Sequence, residues 1–188
     1  MLRPEMVAQL ALAAVAAAAD LAGAFVVTTM HKRGRAPLRY CVAAGAGFML
    51  AAAFVRMLPE TTQVPHAFLF VLIGYFGVHL FEHTVAPHFH FGEEVHEEAL
   101  LRPSVGYLAL LGLGVLTLIG AAGTSLIAEH HVGYALAISA GVTIYVAASD
   151  LIPEVNREGG PALGWTVFAG VLLFALIDFL LAGVGAGY

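Results

Sequence analysis

Cysteine, lysine and charge of either sign are scarce in this chain. Its 188 residues include one cysteine, one lysine and seven arginines, and only 11% are charged, against about 25% in ordinary soluble domains. A single cysteine excludes an internal disulfide framework and a cysteine metal cluster built within one chain. The few cations form no basic face with interleaved aromatics, which excludes nucleic acid as a partner. What stands in place of charge is apolar: 60% of residues are hydrophobic and the mean hydropathy is +0.88. Lipid is therefore the expected solvent for most of the surface.

A helix rises about 1.5 Å per residue and needs about 20 mostly apolar residues to cross the bilayer. Windows 6–28, 40–58, 64–81, 105–128, 132–152 and 162–183 meet that length. Helix is the default in each, because lipid offers no partner to the backbone of an isolated strand. The fold expected is thus an all-α integral membrane protein with about six transmembrane helices. Arg3 and the apolar run after it resemble a secretory leader, but Glu5 and the continuation past Asp20 favour a retained first helix. Pro59, Pro87, Pro103, Pro153 and the Gly159, Gly160, Pro161 run are expected to separate windows. Residues 84–103 read as a polar His/Glu-rich loop.

Lys and Arg near helix ends set orientation. With the first loop cytoplasmic, Lys32, Arg33, Arg35, Arg39, Arg102 and Arg157 fall inside, and only Arg3 and Arg56 outside. Both termini are then extracytoplasmic and the His-rich loop is cytoplasmic. The Ala-rich, Arg-over-Lys usage suggests a prokaryotic plasma membrane.

An internal repeat is visible. GFMLAAAFVRMLPE at 47–60 aligns with GVTIYVAASDLIPE at 141–154 at an offset of 94. Each copy has an apolar window before it and another after it. Two three-helix units follow, 1–83 and 104–188, on either side of the 84–103 loop. An odd number of helices per unit inverts the second copy, as in many secondary transporters.

Several groups could ligate a metal. His79, Glu82 and His83 stand at i, i+3 and i+4, on one helical face, and two imidazoles with a carboxylate suit zinc and similar ions. They also spell His-x-x-Glu-His, a metalloprotease signature, which would need a further ligand on another helix and a hydrated cleft. Interfacial snorkelling of Glu82 and His83 is the plainer reading. His88, His90 and His96, among Glu93, Glu94, Glu97 and Glu98, form a tract suited to divalent-ion capture, or a solvated acidic loop. Asp150, Thr143 and Ser139 fall within about 40° on an ideal helix and make a polar stripe, and an ionisable group at this depth marks a pathway by default. Their repeat counterparts are Arg56, Met49 and Gly45. The repeat permits an Arg56–Asp150 pair, and Met49 offers a soft thioether or ordinary packing. Asp20 and Asp178 should face inward. Glu129, His130 and His131 cluster at the outer end of the fourth window. Gly112, Gly114, Gly120 and Gly123 offer close-approach positions for a homo-oligomer.

These segments resemble the ZIP (Zrt-, Irt-like) family of divalent-metal transporters. AGAGFMLAAAFVRMLPE at 44–60 is similar to that family's second helix, and SAGVTIYVAASDLIPE at 139–154 to its penultimate one. GYFGVHLFEH at 74–83, followed by HFH and His96, resembles the third helix and the His-rich loop. The resemblance implies extracytoplasmic termini and two inverted three-helix units. It also exposes a departure. The His-Asn-x-x-Asp/Glu-Gly and His-Glu-x-x-x-Glu/Gln type motifs on the family's helices four and five are absent, as though those two helices were missing. The expectation is a carrier, not an enzyme, that moves a divalent cation, zinc first, toward the cytoplasm by alternating access. Its partners are the metal ion and the bilayer. The alternatives are a reduced homologue that binds metal or partners without transport, and an intramembrane metalloprotease.

Overall fold

The computed structural model describes residues 11–19, 21–23, 25, 35–84, 115, 120, 123, 129–158 and 160–185. Among these residues every regular element is helical and no strand occurs. Four long helices dominate. α1 comprises Arg35–Ala51, a π-helical segment Ala52–Met57 and a last α-helical turn Leu58–Thr61. α2 is Ala67–Thr84. α3 comprises Glu129–Tyr145, a second π-helical segment Val146–Leu151, and Ile152–Glu158. α4 is Pro161–Gly185. Each contains a stretch long and apolar enough to span a membrane: Leu38–Thr61, Ala67–Thr84, His131–Arg157 and Pro161–Ala182. A shorter apolar helix lies at Ala11–Gly23. Most of the window 105–128, and the remainder of 6–28, lie outside the described residues.

The described residues among 36–94 and 133–188 form one compact unit, and those of 11–35 and 115–132 belong to another. In the first of these units small residues are inside and large apolar ones outside. Ala43, Ala46, Ala53, Ala137, Ala140 and Ala147 are fully buried, whereas Phe68, Leu72 and Phe76 of α2 and Trp165, Phe168 and Phe179 of α4 are exposed. Water would drive the opposite arrangement, but in lipid bulky side chains are solvated by acyl chains and small ones let backbones approach. The four spans and this outward apolar surface make the chain a membrane protein.

Pro59 and Pro153 do not end their helices, contrary to the sequence expectation. α1 continues to Thr61 and α3 to Glu158. A proline inside an α-helix removes an amide donor and drives its ring against the carbonyl four residues back. Here a π turn precedes each proline. The amide of Leu58 donates to the carbonyl of Ala53, and that of Ile152 to the carbonyl of Ala147, both five residues back. This wider turn relaxes the i→i−4 geometry that the ring would strike, so the helix passes through.

Glycines set the helix pairing. A Cβ at Gly47 would overlap the Val167 carbonyl, and one at Gly170 the Ala44 carbonyl, so α1 and α4 touch backbone to backbone. Gly141 meets Val71, and Gly74 meets Ile138, in the same way between α3 and α2. Contacts farther along fix direction. Ala43 clusters with Leu163, and Arg56 reaches Asp178, so α1 and α4 run parallel. Phe70 meets Tyr134 edge to face, and Glu82 accepts a hydrogen bond from Tyr145, so α2 and α3 also run parallel.

The offset of 94 reappears in the structure. The π segments Ala52–Met57 and Val146–Leu151 are 94 residues apart. Ala43, Ala46, Gly47, Ala51 and Ala53 are buried, and so are their counterparts Ala137, Ala140, Gly141, Tyr145 and Ala147. Val71 and Gly74 of α2 likewise match Val167 and Gly170 of α4 at an offset of 96.

Candidate functional site

A cavity of about 440 Å³ lies between the C-terminal halves of α2 and α3. From α2 it is lined by Tyr75, Phe76, His79 and His83, and from α3 by Tyr145, Ser149 and Asp150. On α2 a spacing of four brings Tyr75, His79 and His83 into one column. On α3 the column exists because of the π turn. In a regular α-helix Asp150 would stand about 140° around the axis from Tyr145. With i→i+5 bonding it comes round to the Tyr145 side.

A hydrogen-bonded chain links α2 and α3 beside this cavity. The Tyr145 hydroxyl donates to Glu82 Oε2 at 2.7 Å. Its single proton is thereby used, so the 3.3 Å contact with His79 Nδ1 has the imidazole N–H as donor. His83 Nδ1 lies 2.8 Å from the His79 backbone carbonyl, which can only accept, so this ring nitrogen also carries its proton. In both rings, when neutral, Nε2 then holds the lone pair. Metal-ligating histidines are commonly oriented in this way, by donating the other ring N–H to a carbonyl or a polar side chain. Tyr75 and Ser149 complete the helix-to-helix contact, their hydroxyls 3.1 Å apart.

Glu82 is 1% exposed, and its Oε1 has no hydrogen-bond partner among the described residues. That position differs from the snorkelling carboxylate considered from sequence. His79 and His83 are exposed where Glu82 is buried, so the three do not share one environment. Among the described residues no three His, Cys, Asp or Glu side chains converge in a way that could hold a metal ion. The His79 and His83 rings themselves lie side by side, their centroids 4.2 Å apart.

No protein-family model, curated protein or solved structure matches this chain.

The remaining sequence candidates are distributed as follows. His88, His90 and His96 lie outside the described residues, as do Asp20, Gly112 and Gly114. Met49 is half-buried on α1 and away from the cavity lining. Gly120 and Gly123 have open space where a Cβ would stand. The polar stripe Ser139, Thr143, Asp150 is broken. Thr143 Oγ1 donates to the Ser139 carbonyl at 2.9 Å, within its own helix, and the π turn rephases Asp150 away from both. Arg56 does not take Asp150 as its partner. Its Nε lies 2.8 Å from Glu60 Oε1, and a terminal guanidinium nitrogen lies 3.5 Å from Asp178 Oδ1. Asp178 is thus turned toward a neighbouring helix, as expected of a carboxylate in an apolar span. Sequence reasoning missed Tyr75, Tyr145 and Ser149, which read as ordinary residues of apolar helices. The i, i+4 run of Tyr75, His79 and His83 was the one available signal.

Proposed function

We propose that this protein is a ZIP-like carrier, not an enzyme, that moves a divalent cation, zinc first, across a prokaryotic plasma membrane toward the cytoplasm. The observation that carries the reading is the cavity in which His79 and His83, each held through Nδ1, face Asp150 from the neighbouring helix. Imidazole nitrogen and carboxylate oxygen together suit zinc and its neighbours.

The inverted-repeat architecture belongs to the same proposal. α1 and α2 are joined by the short turn 62–66, so they cross the bilayer in opposite senses. α3 runs parallel to α2, so α1 and α3, the repeat-related helices, cross in opposite senses as well. Two such units, related about an axis in the membrane plane, provide alternating access. With Lys32, Arg33 and Arg35 cytoplasmic, α2 and α3 both run inward, and both termini are extracytoplasmic. The cavity then lies on the cytoplasmic side, directly before the His88, His90 and His96 tract, which would receive departing ions.

Uptake of radioactive zinc into proteoliposomes tests this, with His79→Ala and Asp150→Ala as controls. Saturable uptake reduced by both substitutions is expected. Absence of uptake by folded protein would sink the carrier reading. It would favour a second one, a reduced homologue that binds metal without moving it, which the missing central motifs and the unconverged ligands also support.

A further inference from the structure

Glu82 does not line the cavity, yet it sets the order of protons beside it. Its Oε2 accepts the Tyr145 proton at 2.7 Å, and Glu82 and Tyr145 are only 1% and 4% exposed. With both side chains nearly closed to water, the hydroxyl has no second direction in which to donate. The Tyr145 oxygen therefore faces His79 as an acceptor, and Nδ1 of that ring, 3.3 Å away, supplies the proton. His83 is fixed differently. Its Nδ1 donates to the His79 carbonyl of its own helix at 2.8 Å, a contact that does not involve α3. The relay through Tyr145 also belongs to one half of the repeat. At the offset of 94 Tyr145 corresponds to Ala51, and at the offset of 96 His79 corresponds to Ala175. Asp178, the counterpart of Glu82, meets Arg56 instead.

We propose that Glu82 is a positioning residue for His79: acting through Tyr145, it holds the neutral imidazole with its proton on Nδ1 and its lone pair on Nε2. The hydrogen bond made by one ring nitrogen decides which nitrogen keeps the proton. Without Glu82 the Tyr145 hydroxyl would be free to turn toward Nδ1, and the lone pair and the proton of His79 would change places. Glu82 itself touches no ligand. It stands behind the imidazole as the carboxylates that orient metal-bound histidines do, with a tyrosine hydroxyl interposed. The group that Nε2 suits is an electron-pair acceptor, a borderline divalent ion such as zinc, and in that respect the inference deepens the carrier reading and rests on it.

The test is proton–nitrogen correlation NMR of the full chain in detergent, labelled in its histidines and free of metal, at about pH 8.5, where an ordinary imidazole is neutral. The His79 signals are identified by their loss in His79→Gln. Wild-type protein should show His79 in the Nδ1–H form. Glu82→Met takes the acceptor from Tyr145, and Tyr145→Phe takes it from His79. Both should move His79 toward the Nε2–H form while His83 keeps its pattern, a result that loss of packing alone would not give. Glu82→Leu is the second variant should Glu82→Met not fold. An Nε2–H form of His79 in the wild type, or an unchanged His79 signal in the folded Glu82 variant, overturns the proposal. Glu82→Met should also weaken zinc uptake at least about tenfold. Uptake separates the two claims: a tautomer switch in a protein that moves no zinc keeps the positioning role and discards the carrier, and uptake with an unchanged tautomer does the reverse.

Discussion

The hydroxyl of Tyr145 and the carboxylate of Glu82 join the middle of α3 to the last turn of α2 through a 2.7 Å hydrogen bond. Each is nearly inaccessible, at 4% and 1% exposure. Neither group has water to fall back on. Tyr145→Phe would strip the carboxylate of this donor and should cost about 1–3 kcal/mol. The check is the thermal midpoint in detergent. Adding Glu82→Leu to Tyr145→Phe should recover most of the loss, because the buried carboxylate that lost its donor is then gone. An unchanged midpoint in the single variant would mean that the bond adds nothing.

Arg56 and Asp178 invite a double-mutant cycle. Arg56→Ala leaves Asp178 without its guanidinium partner, and an unpaired acid in a membrane helix costs up to about 3 kcal/mol. Arg56→Ala combined with Asp178→Asn should be more stable than Arg56→Ala alone. Strict additivity of the two changes would argue against coupling.

Gly47 and Gly141 should be equally intolerant of substitution. Leucine at either position would drive a side chain into a backbone carbonyl of the neighbouring helix, Val167 or Val71, which cannot rotate away. Both variants should lose the monodisperse folded species on size-exclusion chromatography. Gly77→Ala is the control, since nothing lies within 4 Å of its added Cβ, and it should behave as wild type.

The π turn in α3 predicts opposite results for a deletion and an insertion. Deleting Ala148 converts the turn to α and leaves the Asp150 carboxylate four places after Tyr145, on nearly the same side. Inserting an alanine after Ala148 swings the carboxylate by about 100°. Zinc uptake should survive the deletion much better than the insertion. Equal loss in both would show that the phase of this helix does not matter.

Four of the six expected spans were legible from sequence, because hydropathy survives without any tertiary information. Burial follows the repeat closely: Ala43 and Ala137, or Gly47 and Gly141, could have been paired on the offset alone. The phase of Asp150 was not legible. Projection at 100° per residue joins it to Ser139 and Thr143, and one surplus residue in the π turn invalidates that projection. The π turns in α1 and α3 likewise hid the passage of the two helices through Pro59 and Pro153. Glu82 was read as a candidate metal ligand, with interfacial snorkelling as the plainer reading; its burial was not legible, since nothing local shows that Tyr145, distant in sequence, covers it.

The four spans among the described residues are unequal, and the shortest carries His79 and His83. Ala67–Thr84 has 18 residues where His131–Arg157 has 27. At about 1.5 Å per residue α2 reaches roughly 27 Å, slightly less than the roughly 30 Å of hydrocarbon. A shorter span is met by local thinning of the bilayer rather than by tilt. Acyl-chain length is consequently an external control on how deep His79 and His83 sit, and longer-chain lipids would draw the mouth of the cavity away from water without altering a single residue.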